Sequence, residues 1–385
     1  MGFIFICFLA AAWVLWREAQ YQRQGIRSAD LPGAAAATSA YIALAAAMVS
    51  ATYRLIFILI GLPIFVDWGQ AAGISQMVLA SIFLVVIGGG EMLIGRAARG
   101  TSLWAVDRRL KLNRTSLKEF LGDTAKDLVI SGALALPLII GWTYLAETKP
   151  AHWWLWAWAL WFAILAACLM IRPYAEARII GKSHDLPSSD LRQRLVRLLD
   201  RCGLRVHKLR VLDASRRTKR VNASVTGFGG RIHMVLHDTL MEQLRPSEIE
   251  AVVAHKAGHV RHHHLERKLA GLALLGLVGA YGISWVAVAA ELSPAETIGL
   301  MLATYASVLF CLRPLMVHIS RGFEFQADEF AANQVGAAAV RLALSKIFAA
   351  NQGVLDHHWA YTAIFAGHPS GRERLSRLDT MDHRS

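Results

Sequence analysis

The chain has few charged residues for its length. Only 18% of its 385 residues are Asp, Glu, Lys or Arg, whereas a soluble domain usually carries about 25%. Hydrophobic residues make up 55% of the chain, and its mean hydropathy is +0.38. This shortage of charge excludes a pair of ordinary soluble domains and favours a protein that spans a lipid bilayer.

Cysteine is also scarce. The chain has four cysteines, three of them lie in apolar stretches, and no two form a C-x-x-C pair. We therefore expect neither a disulfide framework nor a cysteine zinc site. All four should be reduced and should pack as small apolar side chains.

Acidic residues are outnumbered by basic ones, and the formal net charge is +13. No segment has the pattern of a nucleic-acid-binding motif, so we expect no nucleic-acid partner. The excess of positive charge is better explained by membrane topology, because basic loops stay on the cytoplasmic side of a membrane.

Seven apolar stretches are candidates for membrane helices, which need about 20 residues each. These stretches are approximately Gly2–Trp16, Ala34–Val66, Ile74–Gly95, Leu128–Ala146, His152–Ile171, Leu269–Ala290 and Ile298–Val317. The first is short enough to be a signal peptide, but it lacks a basic beginning and a clear cleavage site, so a retained helix is favoured.

The basic residues concentrate in segments 17–31 and 96–127. Placing these loops in the cytoplasm puts the N-terminus outside and both long polar regions, 172–268 and 318–385, inside. The sequence thus predicts a mainly α, multi-spanning membrane protein with a small α+β cytoplasmic unit. We divide it into a five-helix region, 1–172, and a second region, 173–385, with two further membrane helices.

The polar region between the fifth and sixth spans has the pattern of the α+β unit. Ser189–Cys202 has helical periodicity, and a capping box from Ser247 to Glu250 is predicted to begin the next helix. Strands are predicted at Lys208–Asp213, Ala223–Thr226 and Arg231–Leu236, with a hairpin joining the last two.

A pair of histidines on the helix after these strands suggests a metal site. His255 and His259 are four residues apart, so their imidazoles share one face and can approach a single zinc ion. The usual form of this motif is H-E-x-x-H, but here Lys256 stands where the glutamate would be. Taken alone, two histidines at this spacing are a weak signal.

Two distant segments strengthen the prediction of a metal site. Glu324 follows the seventh span, and a set of two histidines and one glutamate leaves a fourth zinc position open. Asp328, one turn later, could receive the free N–H of a ligand histidine. His368 and Arg374 near the C-terminus could stabilise the oxyanion of a tetrahedral intermediate.

At this point the chain resembles the type I CAAX prenyl proteases, which are zinc endopeptidases of membranes. The family's H-E-x-G-H helix and the histidine five residues later match this chain except at the glutamate. Its S-R-x-x-E-F-x-A-D and H-P-[ST]-x-x-x-R motifs match Ser320–Asp328 and His368–Arg374. Its N-A-Y-x-T-G-F-G strand is similar to the segment that contains Asn222, Ala223 and Thr226.

The resemblance implies seven helices around an intramembrane chamber, with zinc held by His255, His259 and Glu324 on the cytoplasmic side. It implies that Asn222, Ala223 and Thr226 lie beside an extended peptide. The expected substrates are prenylated peptides in eukaryotes, or membrane and misfolded proteins in bacteria. The short loops and the composition favour a bacterial inner membrane.

Lys256 puts the activity of this chain in doubt. The motif glutamate accepts a proton from water, a contribution of roughly 10²–10⁴-fold to the rate, which a protonated lysine cannot make. At about 4 Å and an effective dielectric of about 20, Zn²⁺ and an ammonium repel by roughly 8 kcal/mol. Deprotonating an ordinary lysine at pH 7 costs only roughly 4.6 kcal/mol, so the lysine should lose its proton, turn away or weaken zinc binding.

Three explanations remain open from the sequence. The chain could be an engineered inactive variant of a protease, a natural pseudoprotease that binds without cutting, or a protease in which neutral Lys256 is a poor base. We favour a zinc metalloendopeptidase impaired by Lys256, with a non-catalytic binding or quality-control protein as the alternative. A transporter would leave the histidines and Glu324 unexplained.

Overall fold

A computed structural model describes residues 2–24, 31–148, 152–179, 183–228 and 231–382 of the chain. Within these ranges long apolar helices carry a smaller α+β unit. All four cysteines are free, as the sequence predicts.

Within the described residues, the N-terminal region has seven helices, two of which continue a preceding helix through a short π-helical segment. The helices are α1 (Gly2–Gln24), α2 (Leu31–Ile56), α3 (Leu62–Ala71), α4 (Gln76–Phe83), α5 (Gly89–Ser102), α6 (Leu117–Thr148) and α7 (Trp153–Ile179). The π-helical segments are Phe57–Gly61, Leu84–Gly88 and Leu103–Asp107.

Five continuous helical stretches within the described residues are long and apolar enough to cross a bilayer. They are Pro32–Ala71, Gln76–Asp107, Leu117–Thr148, His264–Ala289 and Pro294–Val335. These five confirm the second, third, fourth, sixth and seventh predicted spans. The protein is therefore a multi-spanning membrane protein.

The first and fifth predicted spans are helical, but their described parts are not both long and apolar enough to count as spans. The first forms the beginning of α1, whose second half is polar and includes Arg17, Glu18 and Gln22. The apolar part of α7 that the structure describes, Trp153–Cys168, is shorter than a full span. The side chains that follow it to the end of α7 lie outside the described part, so the fifth span stays a prediction.

The α+β unit and the C-terminal helices follow in chain order. They are β1 (Ser183–Asp185), α8 (Asp190–Arg201), β2 (Val206–Leu212), β3 (Ala223–Phe228), β4 (Arg231–His237), α9 (Asp238–Gln243), α10 (Pro246–Arg261), α11 (His264–Ala289), α12 (Pro294–Val335), α13 (Ala337–Ala350), α14 (Trp359–Ile364) and α15 (Gly371–Asp382). Helix α8 and strands β2 to β4 confirm the predictions, whereas β1 has only three residues and was not predicted.

The described strands form one sheet in the order β1-β2-β4-β3. Strand β4 pairs in parallel with β2 and antiparallel with β3, so β3 lies at an edge. The antiparallel pairing agrees with the predicted hairpin, but its residues 229–230 lie outside the described residues. An edge strand has one row of backbone N–H and C=O groups free to pair with another extended chain.

The predicted capping box of α10 is wrong by two residues. The helix begins at Pro246, and the Glu248 carboxylate, not that of Glu250, accepts the backbone N–H of Arg245 at 2.8 Å. Proline suits the first helical position because it has no N–H to satisfy. Glu250 is instead bonded to Arg194 of α8, at 2.6 and 3.2 Å.

Helix α8 packs on the sheet because its leucines recur at helical spacing on one face. Leu195, Leu198 and Leu199 are buried together with Met234 of β4 and Val253 of α10. This core fixes α10 against the sheet and so places its histidines.

Helix α12 links the membrane to this unit. Its 42 residues extend about 63 Å at 1.5 Å per residue, which is about twice the thickness of a bilayer core. Its first half contributes Ile298 and Ala303 to an apolar cluster that includes Phe83 of α4. Its second half reaches α10 and carries Glu324 and Asp328.

Candidate metal centre

His255 and His259 lie one turn apart on α10, and their rings meet edge to face, with 4.8 Å between the centroids. Their Nε2 atoms are 3.2 Å apart. Burial lowers the pKa of both imidazoles from the usual value, that of His259 to about 3, with a further contribution from the neighbouring His255. Both rings are therefore neutral at pH 7, the form in which histidine binds a metal.

Glu324 of α12 completes a possible metal-binding group with the two histidines. Its carboxylate oxygens are 3.5 Å from the Nε2 atom of His255 and 3.4 Å from that of His259. Ligand atoms at about 2.0–2.1 Å from a tetrahedral zinc ion lie about 3.3–3.4 Å from one another. The residues present therefore fit a zinc ion.

Asp328 binds the ring of His255, and Arg374 binds Asp328. The Nδ1 atom of His255 donates to Asp328 at 2.9 Å, which leaves Nε2 free to face Glu324. Arg374 of α15 donates to both oxygens of Asp328, at 2.7 and 2.6 Å. Asp328 is buried, so the guanidinium balances a carboxylate that would otherwise be costly to bury.

His264, the first residue of α11, contacts the second histidine. Its Nδ1 atom is 2.9 Å from that of His259, and its Nε2 atom is 2.9 Å from the amide oxygen of Gln326. The ring stacks on Phe323 with 4.2 Å between the centroids. The family motif identified His264 as a matching position, but its contacts could not be read from the sequence.

Lys256 follows His255 on α10, and both residues line a cavity beside the metal-binding group. Within the described residues its amine has no hydrogen-bond or ion-pair partner. Burial lowers its pKa, while the negative charge of Glu324 opposes this effect. The charged ammonium is therefore less favourable here than in water, even before a metal is considered.

His368 and Arg374 both reach the carboxylate of Glu324. The Nδ1 atom of His368 lies 3.0 Å from Oε1, and an Nη1 atom of Arg374 lies 3.6 Å from Oε2. His368 is mostly exposed, whereas Arg374 is buried among carboxylates. The structure thus brings both predicted residues to the site.

A cavity of about 550 Å³ lies beside the metal-binding group. Its wall includes Asn222 and Ala223 at the start of the edge strand, together with Lys256 and Glu324. The backbone of Thr226 continues the same strand, but its side chain lies outside the described part. An extended peptide can pair with this edge and pass the candidate metal site.

Known proteins identify the family of this chain. The model of peptidase family M48 matches residues 185–382, just over half of the chain. The chain belongs to peptidase family M48. A second family model, described as CAAX prenyl protease N-terminal, five membrane helices, matches residues 34–182.

Curated relatives of this M48 protein agree with the assignment. It is 27% identical over 296 residues to the CAAX prenyl protease 1 homolog of Arabidopsis thaliana, covering 74% of this chain and 69% of that protein. It is 27% identical over 281 residues to the uncharacterized metalloprotease YhfN of Bacillus subtilis, covering 67% and 65%.

A solved structure shares the fold. The crystal structure of S. mikatae Ste24p superposes with a TM-score of 0.85, covering 98% of this chain and 97% of that chain at 20% identity. The resemblance seen in the sequence motifs is therefore confirmed for the family and the fold of this M48 protein.

Proposed function

We propose that this chain is a membrane zinc metalloendopeptidase whose peptide cleavage is impaired by Lys256. The observation that carries the proposal is the set of short distances joining His255, His259 and Glu324 directly beside Lys256. The family supplies the reaction class, and the residue at position 256 supplies the departure from it.

His255, His259 and Glu324 are proposed to hold the zinc ion. When bound there, zinc would polarise a peptide carbonyl and acidify a water molecule. Asp328 positions His255 by accepting its Nδ1–H, and Arg374 holds Asp328 in turn. This arrangement fixes the direction of the Nε2 lone pair before the metal arrives.

Lys256 occupies the position from which a glutamate would take a proton from water and deliver it to the leaving amine. An ammonium has no lone pair to accept that proton, and burial lowers the pKa of Lys256 and so favours the neutral amine, which has one. Zinc beside it would disfavour the ammonium further. The chain keeps the metal ligands while the proton-transfer group is changed.

The remaining residues are proposed to bind and stabilise the peptide. An extended peptide backbone pairs with the edge strand β3 along Ala223 to Thr226, next to Asn222. His368 and Arg374 lie on the side of Glu324 that faces the cavity, and they stabilise the negative charge that develops on a carbonyl oxygen.

The substrates are proposed to be prenylated, membrane-associated or misfolded proteins. The curated relatives named CAAX prenyl protease 1 homolog support the prenylated class, and the long apolar helices of the same chain support substrates that reach a bilayer. The basic loops favour a cytoplasmic zinc site, and we assign the chain to a bacterial inner membrane.

A pseudoprotease that binds peptides without cutting them is the second candidate. The same lysine favours it, because a site with intact ligands and no base can still hold a peptide. The two candidate functions predict different results for a variant with glutamate at position 256.

The test is peptide cleavage by purified protein in detergent with zinc, comparing the chain with Lys256→Glu and Lys256→Gln. If the chain is an impaired protease, kcat/KM of the glutamate variant should exceed that of the other two by at least about 10²-fold. Equal inactivity of all three, with zinc bound and peptide binding retained, would favour the pseudoprotease. Zinc content unchanged in His255→Ala and Glu324→Ala would overturn the metal assignment.

A further inference from the structure

A buried carboxylate on the N-terminal helix reaches the loop that lines the peptide cavity. Glu18 of α1 is 1% exposed, and its Oε1 atom accepts the Nδ1–H of His357 at 2.7 Å. Its Oε2 atom accepts the backbone N–H of His358 at 2.8 Å. The two partners are about 340 residues away in the sequence.

The backbone of this loop is held by bonds other than that of the His357 ring. Gln22, one turn after Glu18, donates to the carbonyl oxygen of Asp356 at 2.9 Å. The backbone N–H of Arg372 in α15 donates to the carbonyl oxygen of Leu355 at 3.0 Å. These bonds and the bond to the His358 N–H fix the backbone of the loop. The bond between Glu18 and the His357 ring therefore serves to orient the His357 side chain.

The His357 side chain belongs to the wall of the peptide cavity. It is 25% exposed and lines the cavity together with Lys256 and Glu324. With Nδ1 bonded to Glu18, Nε2 is the ring nitrogen left over, and within the described residues it has no protein partner. A carboxylate that binds one ring nitrogen fixes which nitrogen the ring presents to a ligand.

We propose that His357 is a further peptide-binding residue of this cavity and that Glu18 is its positioning residue. His357 forms one hydrogen bond through Nε2 to the main chain of the bound peptide. This inference rests on the proposed function, since it requires a peptide in the cavity. Glu18 precedes both matched segments, 34–182 and 185–382, so the family models do not assign it.

The test measures binding of a fluorescein-labelled farnesylated peptide to the full chain in detergent, without cleavage. His357→Ala should weaken binding about 3–10-fold, the range for one hydrogen bond, with an unchanged thermal unfolding midpoint. Glu18→Gln should weaken binding by a smaller factor. If Glu18 acts through His357, Glu18→Gln/His357→Ala should bind no more weakly than His357→Ala alone.

Gln20→Ala is the matched control, because Gln20 lies on the same helix and donates to Tyr41 instead. It should bind the peptide like the parent chain. In the Lys256→Glu background, His357→Ala should raise KM more than it lowers kcat, a split that a general loss of folded protein would not produce. If Glu18→Gln does not fold, the His357→Ala variant, at a partly exposed position, tests the peptide-binding role of His357 by itself.

Equal affinity of the parent and His357→Ala would overturn this inference and leave the proposed function standing. Additive losses in the double variant would overturn the positioning role of Glu18. Absence of binding by the parent chain would overturn both the inference and the proposed action on prenylated peptides.

Discussion

Gly258 of α10 lies against Ala327 of α12 with no room for a side chain between them. A Cβ atom built on Gly258 would be 3.0 Å from the Cα of Ala327 and 3.2 Å from its carbonyl oxygen. These are backbone atoms, so they cannot turn aside as the end of a side chain can. The close approach of the two helices brings the histidines of α10 to Glu324.

Gly258→Ala should therefore weaken zinc binding by separating the helices that carry the ligands. A shift of a few tenths of an ångström is large for ligands that must lie within about 0.2 Å of ideal zinc distances. Gly322→Ala is the matched control, because nothing lies within 4 Å of a Cβ at that helical position. We expect a competition titration with a chromophoric chelator to show weaker zinc binding only for Gly258→Ala; equal affinities would contradict this account.

Arg374→Lys should also lower the affinity for zinc, by about 10–100-fold, the usual range for residues behind a metal ligand. Lysine keeps the charge but lacks the planar, rigid pair of N–H groups that donates side by side to both oxygens of Asp328. Less firmly held, Asp328 would orient His255 less well. The same chelator titration measures the effect.

Arg377→Lys is the control for that substitution. Arg377 lies on the same helix, α15, forms a long, exposed ion pair with Glu329 at 3.8 Å, and lies over the Phe325 ring at 4.7 Å from its centroid. Neither of these partners is a proposed metal ligand. Replacement of Arg377 should leave zinc affinity unchanged. A loss of the same size in both variants would mean that the effect comes from α15 as a whole.

The sequence predicted the parts of the site that follow from local spacing. His255 and His259 share a helix face, so their approach follows from helix geometry alone. Glu324 is 65 positions beyond His259 in the sequence, and only the resemblance to a family connected it with them. The contact between Asp328 and Arg374 joins α12 to α15 and required the tertiary structure.

The errors have similar physical causes. The capping box was displaced because Glu248 and Glu250 are both compatible with the local pattern, and the tertiary contact with Arg194 decides between them. Strand β1 was missed because three residues are too short to show alternation. The bond between Glu18 and His357 spans 339 positions, and no local pattern records it.

Acid should destabilise the metal-free protein through His259. Its pKa in the folded state is about 3, lowered mainly by burial, whereas in the unfolded chain it is about 6.5. As the pH falls below about 6.5, the unfolded chain binds a proton that the folded protein does not, so stability falls until about pH 3. The thermal unfolding midpoint after chelation should decrease from pH 7.5 to pH 5.

His259→Gln separates this effect from other titrations. Without the imidazole at position 259, the midpoint should depend less steeply on pH over the same interval. A slope equal to that of the parent would show that the acid sensitivity originates elsewhere.

Asn351 should stabilise the backbone just before the edge strand β3. Its side-chain oxygen accepts the backbone N–H of Val221 at 2.7 Å, and its amide nitrogen donates to the Val221 carbonyl oxygen at 3.0 Å. The side chain thus takes the place of a neighbouring strand just before β3 begins. Arg220 extends this contact to the membrane region through a 2.6 Å ion pair with Asp107.

Asn351→Ala should leave both backbone groups of Val221 without these bonds, at a cost of about 1–3 kcal/mol where they are buried. Hydrogen exchange of the amides from Val221 to Val225 should become faster, and peptide binding should weaken because the edge strand is less ordered. Asn333→Ala, at an exposed position of α12, should change neither. Faster exchange without weaker binding would show that Asn351 stabilises the fold but does not prepare β3 for a peptide, and the edge strand would then lose its proposed place in substrate binding.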